Sequence, residues 1–184
     1  MRRDELAHIL RAVARITDNG DIRVIGSQAI LGSFDEDQLP VEAWRSVEAD
    51  VAFFDDPAET KSDQVDGAIG EDSPFHSTHG IYGQGVSVTT AVLPAGWRDR
   101  LVPFERADAH FSRARCLDAH DLVCAKLVAG REKDFAFAGA LIDADLVSCE
   151  VLLERAHTLE TIPAVRSRVE AWVEGARRRR TDFA

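Results

Sequence analysis

The stretch SVEADVAFF, residues 46–54, constrains this chain more than any other. Val47, Ala49 and Val51 fall on one side of an extended backbone, and Glu48, Asp50 and Ala52 fall on the other. Side chains of a strand repeat every two residues, so both carboxylates share one face of a sheet. Two carboxylates so close repel each other unless a cation lies between them or one keeps its proton. Asp55-Asp56-Pro57 ends the strand by turn chemistry. A fold that accepts this strand must bury its Val/Ala side and give its acidic side something to face.

The segment before it supplies a candidate. Leu6, Ile9, Leu10, Val13 and Ile16 recur at helical spacing over residues 3–17, and Asn19-Gly20 stops that helix. Ile22, Val24 and Ile25 read as a short buried strand that Gly26 breaks, with Ser27-Gln28-Ala29-Ile30-Leu31 opening a short helix. Glycine lets backbone come close to a ligand. A serine that opens a helix turns N–H groups and a hydroxyl toward an incoming phosphate. An acidic loop, 33–40, ends in Pro40.

Further along, residues 60–71 predict a helix, and 72–86 a loop or irregular hairpin. VSVTTAVL, 86–93, reads as a strand closed by Pro94-Ala95-Gly96, with a short piece around 100–105 pairing to it. From Asp118 the pattern turns helical. Asp118 is a predicted N-cap, Leu122, Val123, Ala125 and Leu127 face inward, and Gly130 stops the helix before another begins at REKD. Two more helices fall at 148–158 and 161–180, capped by Ser148 and Thr161. Within the stretch HDLVCAKLVAGREKD, Lys126 and Arg131 sit at a helix junction, with Lys133-Asp134 beyond it. Such cations are good ligands for triphosphate oxygens.

With 184 residues, 45% of them hydrophobic, the chain can bury one core. Its formal charge of −10 is uneven: acids crowd 35–72, and arginines cluster at 98–115 and 166–180. An acidic zone facing a basic one suits a metal-plus-phosphate site, and both zones also suit solvated faces. Arg177–Arg180 read either as helix C-terminal charge or as contacts to RNA phosphates. The three cysteines are too few and too spread for a disulfide framework or a zinc pattern. MRRDELAHILRAVARI lacks an apolar signal region, and no apolar run is long enough to span a membrane, so a cytoplasmic location is expected. His76 and His79, near Asp72, form a weak metal candidate; Cys124 reads as an inert core thiol.

Gly-Ser after the first strand, an acid-x-Asp strand next, and a downstream DL-x-x-x-KL-x-AG-R-x-KD helix together resemble the minimal nucleotidyltransferases of bacterial toxin–antitoxin systems, the AbiEii-like and MenT-type toxins. The segment GAIGEDSPFH…YGQGV…TAVLPAGWRDRLVP is similar to a group of bacterial nucleotidyltransferase-like proteins. The resemblance runs from about residue 22 to about residue 140. It implies an α+β fold: a polymerase-β-like nucleotidyltransferase core at 1–115, with a mixed β-sheet flanked by helices, and a C-terminal helical lobe at 116–184. It implies Mg²⁺ (or Mn²⁺) on Glu48 and Asp50, which with Lys126 form the catalytic set. Nucleotide binding falls to Gly26, Ser27, Lys126, Arg131, Lys133 and Asp134. The implied partners are an NTP, an RNA acceptor with the tRNA 3′ end foremost, and a cognate antitoxin that phosphorylates Ser27. A third carboxylate is not evident: the expected strand at 86–93 offers Thr89 and Thr90, and Asp66 falls in the expected helix. Two alternatives stay open. One is a degenerate nucleotide- or partner-binding module without turnover, and the other a transferase acting on a small-molecule or protein hydroxyl.

Overall fold

The computed structural model describes residues 1–105 and 113–181. The described chain runs α1 (Arg3–Thr17), β1 (Arg23–Val24), a 3-10 helix (Ser27–Gly32), α2 (Val41–Trp44), β2 (Glu48–Ala52), α3 (Thr60–Ile69), α4 (Pro74–His79) and β3 (Tyr82–Gly85). A second 3-10 turn (Trp97–Arg100) follows, then β4 (Val102–Pro103), β5 (Arg115–Cys116), α5 (Ala119–Ala129), α6 (Glu132–Asp143), α7 (Cys149–His157) and α8 (Pro163–Thr181). The alternation at 46–54 is thus a strand, and it lies inside a five-stranded mixed sheet of order β3-β2-β1-β5-β4. β2 pairs antiparallel with β1 and parallel with β3; β1 pairs parallel with β5, and β5 antiparallel with β4.

Each face of β2 follows from its sequence. Ala49 and Val51 are fully buried, in register with Gly83 and Gly85 on one side, and Val51 with Val24 on the other. α1 and α3 cover this face, burying Leu6, Ile9 and Leu10 from one helix and Val65 and Ile69 from the other. They come close because β3 carries glycine there. A Cβ on Gly83 would meet Ile69 Cδ1 at 2.9 Å and Ile9 Cγ2 at 3.2 Å. The opposite face carries Glu48 and Asp50. One apolar core extends from Met1 through Val173 to Ala176, so the sheet and the C-terminal helices are packed into each other.

Several expectations need correction. Residues 86–93 form no strand; they make a turn in which Thr90 N–H donates to the Ser87 carbonyl. The β-branched residues misled here, because Val86, Val88 and Val92 are only partly buried and pack on the core from outside the sheet. The strand lies earlier, at Tyr82–Gly85, within the segment expected to be loop or irregular hairpin. α4 also sits there, N-capped by Ser73 with Pro74 in its first turn. The piece near 100–105 does form β4, but it pairs with β5 rather than with 86–93. α2 follows Pro40 where no element was expected. α8 starts at Pro163, two residues beyond the expected cap Thr161.

The arginine zones are largely structural. Arg180 donates to the Ile142 carbonyl at 2.9 Å and pairs with Asp145, while Arg168 donates to the Val128 carbonyl at 2.8 Å. Each satisfies carbonyls near a helix C-terminus, the place where cations belong. Arg177 pairs with Glu174 at 2.8 Å. Arg106, of the other expected cluster, lies outside the described residues.

α5 is fixed at its start by a buried charge. Asp118 caps it, accepting from the N–H groups of His120 and Asp121. The Asp121 carboxylate, fully buried, accepts two hydrogen bonds of 2.9 Å from Arg100, and Arg155 stands 3.5 Å away. Removing one partner of such a pair leaves a buried charge without compensation. Arg100→Ala, which leaves the buried Asp121 carboxylate with Arg155 alone, is therefore expected to lower the unfolding free energy by about 3 kcal/mol in urea titration, and a loss below about 1 kcal/mol would contradict this assignment.

Candidate active site

β1 ends at a turn that meets the acidic strand. Ile25 N–H donates to the Asp50 carbonyl at 3.1 Å, which sets the backbone of 25–26 beside β2. Gly26 then faces the Asp50 side chain so closely that a Cβ at position 26 would overlap the carboxylate. Only glycine lets turn and acid touch in this way. The next residues form a 3-10 helix, its first turn closed by Ala29 N–H on the Gly26 carbonyl at 2.9 Å. Buried Ala29, Ile30 and Leu31 anchor it.

Ser27, Glu48, Asp50, Lys126, Arg131, Lys133 and Asp134 line one cavity of about 500 Å³. Gly26 lines a second cavity of about 280 Å³. Asp50, Lys126 and Arg131 belong to both. The structure therefore brings together all eight residues singled out from sequence, drawn from the turn, from β2, from α5 and from the first turn of α6. It adds Glu42, Arg45 and Ser46, on or after α2, and Phe137 on α6. Nothing in the sequence marked Arg45. It enters because the short α2 folds back against α6.

A buried carboxylate organises the cations. Asp134, 1% exposed, accepts from Arg131 Nε at 2.8 Å and from the Arg131 backbone N–H at 3.2 Å, and lies 3.4 Å from Lys126 Nζ. Burial pushes the Asp134 carboxyl up, but the Arg131 hydrogen bond and the Lys126 charge outweigh it and hold the group below the ordinary carboxylate value. Its hydrogen bond in turn raises Arg131. Lys126 goes the other way: burial lowers its ammonium, and the charges of Asp134 and Asp50 only partly offset this. Arg131 remains well exposed at 60%, free to meet a ligand.

The acidic pair is strained electrostatically. Burial, then the neighbouring Asp50 charge, raise the Glu48 carboxyl above its ordinary value. Burial also raises Asp50, although Lys126, Arg131 and Lys133 pull it down. Two desolvated carboxylates on one face supply hard oxygen donors and excess negative charge, which is what Mg²⁺ or Mn²⁺ takes. Glu48 and Asp50 therefore fit a divalent cation.

The third acid is absent from where β3 would offer it. In register with Asp50, on the same face, stands Gln84. Asp66, the sequence candidate, lies on α3 and is spent elsewhere. It accepts from Gln84 Nε2 at 3.0 Å and from Gly85 N–H at 2.6 Å, along the outer edge of β3. Among the described residues no group of three or more His, Cys, Asp or Glu side chains could hold a metal, which also removes the His76/His79/Asp72 candidate. His76 Nδ1 instead accepts from the Asp72 N–H at 3.1 Å. Cys124 is a core thiol, pushed up to about 12 by burial.

A mixed α+β domain in which a strand–Gly-Ser turn touches an acid-x-acid strand, with cations from a helix junction opposite, is consistent with a nucleotidyltransferase domain. The comparison with protein families agrees. Residues 4–173 match the family described as nucleotidyltransferase of unknown function (DUF6036), and the chain belongs to that family. No curated protein and no solved structure matches it. No helix among the described residues is long and apolar enough to cross a membrane.

These charges make a prediction for the metal-free protein. Both acids are raised, so the folded state binds their protons more tightly than the unfolded state does. Their destabilising effect is full above the raised values and fades as pH falls toward the ordinary carboxylate range near about 4. In EDTA, Asp50→Asn should melt higher than the parent protein at pH 8, and the gap should shrink on acidification. A gap that widens as pH falls would show that the pair is not strained.

Proposed function

We propose that this chain is a nucleotidyltransferase of the polymerase-β-like kind, moving a nucleoside monophosphate from an NTP to a hydroxyl acceptor. The proposed acceptor is the 3′ end of an RNA, tRNA foremost. One observation carries the reading: two strained carboxylates and the cations Lys126, Arg131 and Lys133 converge on one cavity that Ser27 also lines, with Gly26 against the Asp50 carboxylate.

In the reaction, the acceptor oxygen forms a bond to the α-phosphorus, and the bond from that phosphorus to the bridging oxygen breaks. Pyrophosphate leaves with the bonding electrons, and the acceptor hydroxyl gives up its proton. Glu48 and Asp50 would hold a divalent cation, which when bound supplies charge neutralisation and a more acidic acceptor hydroxyl. The Ser27 hydroxyl and the neighbouring turn suit the β- and γ-phosphates. Arg131 stands at the N-cap of α6 and Lys133 in its first turn, where helix polarity adds to their charge. Lys126, lowered by burial, is suited to give a proton to the departing pyrophosphate. Asp134 touches no substrate in this scheme; it holds Arg131 and Lys126 in position.

With an RNA acceptor, a toxin role follows as part of the proposal: nucleotides added to a tRNA end would block aminoacylation in the cytoplasm. The exposed cations Arg45, Arg131 and Lys133 at the cavity support an anionic acceptor. Silencing by an antitoxin that phosphorylates Ser27 would put negative charge where the triphosphate must lie.

A second reading, a nucleotide-binding module without turnover, is favoured by Gln84 in register with Asp50. Labelled NTP, Mg²⁺ and a tRNA pool separate the two. Transfer predicts incorporation that Asp50→Ala abolishes and that Lys126→Met lowers by about 100-fold or more. Thermal stabilisation by NTP, with no incorporation from any nucleotide into several RNA pools, would instead establish the binding module.

A further inference from the structure

The smaller cavity differs in chemistry from the larger one. Leu122, Ala125, Lys126 and Ala129 recur at i, i+3, i+4 and i+7 along α5, so one stripe of that helix forms a wall. The turn that replaces the expected strand forms the facing wall through Val86, Ala91 and Val92. Ile25 and Gly26 close the end beside Asp50. Among the described residues, the chamber carries no charged side chain apart from Asp50, Lys126 and Arg131, which it shares with the polar cavity, and its one neutral polar side chain is Thr90.

A nucleoside triphosphate also has two parts: a polyanionic half, and a nucleoside half whose base offers flat aromatic faces that pack on apolar walls. Resting on the nucleotidyltransferase reading above, we infer that the apolar chamber receives the nucleoside end of the donor and selects it by size rather than by hydrogen bonds to the base. The shared residues stand between the two halves of such a ligand, at the α-phosphate. Among the described residues, no side-chain amide, imidazole or indole lines the chamber to read a base edge, and neither does any carboxylate other than Asp50. The small residues Ala91, Ala125 and Ala129 set its width.

The physical consequence is weak base choice. A site built to hydrogen-bond its ligand rejects an analogue that lacks the matching group by about 10⁴-fold or more, whereas an apolar pocket distinguishes ligands by little more than size. Filling the chamber should instead exclude every base alike, because the added methylenes have nowhere to go.

Isothermal titration of the full chain with Mg²⁺ and no RNA tests this, using ATP, GTP, CTP and UTP beside inorganic tripolyphosphate. In the parent protein the four NTPs should bind within about tenfold of one another. Ala125→Leu, which keeps helix propensity, should weaken all four by about tenfold or more and leave tripolyphosphate binding unchanged. Ala91→Leu, on the facing wall, should do the same, and it decides the matter if Ala125→Leu loses tripolyphosphate as well through misfolding. A wider spread among the four NTPs overturns the inference, and so does NTP affinity that survives both substitutions; the nucleotidyltransferase reading then stands. A parent protein that binds neither NTP nor tripolyphosphate overturns that reading and the chamber's assignment with it.

Discussion

The contact between the Gly26 backbone and the Asp50 carboxylate is the constraint on which the rest of this site depends. It places a phosphate-sized turn and an acidic strand face within touching distance, with no side chain between them. The sheet is built to allow it. β1 is only two residues long, so the chain leaves the sheet next to the middle of β2, and the Ile25 N–H to Asp50 carbonyl bond fixes the exit point. The anchoring is apolar: Ile22, Val24, Ile30 and Leu31 are fully buried on either side of the turn. A residue with a side chain at position 26 would have to move either the turn or the acid, and both are held by the core.

Charge is then arranged so that the protein's own groups carry an electrostatic cost. Glu48 and Asp50 are raised by burial, and Lys126 is lowered by it. Each would return toward its ordinary ionisation if a cation and a polyanion joined them. Asp134 behaves differently, because Arg131 satisfies it directly and its carboxyl stays low. The site thus combines one settled ion pair, which holds geometry, with groups whose charges lack full compensation. A binding site that stores unfavourable desolvation in this way gains affinity for the ligand that relieves it and loses stability in its absence.

The elements nearest this chemistry were the most legible in sequence. A strict period of two with paired acids identified β2, and buried strand–Gly-Ser–apolar identified β1 and the 3-10 helix. The α5–α6 junction was marked by an N-cap aspartate and a glycine in the left-handed region, φ 68° at Gly130. What failed was the middle of the chain. β3 reads Tyr-Gly-Gln-Gly, with neither β-branched residues nor an apolar side chain at every second position, because its inner face is glycine so that α1 and α3 can approach. Strand propensity reports packing on a pleated surface, and a strand whose packing is done by its neighbours' side chains gives no signal. Conversely VSVTTAVL is rich in β-branched residues, yet Val86, Val88, Ala91 and Val92 pack on the core around an exposed Thr89-Thr90 tip, which a turn can do as well as a strand. Arg45 could not have been found at all, since its place depends on α2 meeting α6 across the fold.

The distribution of arginine narrows how an acceptor could be held. A chain of net charge −10 repels nucleic acid at long range, so attraction must come from local positive groups. Arg168 and Arg180 are committed to helix carbonyls, Arg177 to Glu174, and Arg100 to Asp121. Those arginines are therefore poor candidates for a long RNA-binding track. Arg45, Arg131 and Lys133 stand exposed at the cavity itself, beside the groups proposed to do the chemistry. An acceptor gripped there would be recognised over its last few phosphates rather than along a helix, and the donor's triphosphate would compete with it for the same cations. On the proposed reading, that geometry would favour free ends over continuous duplex.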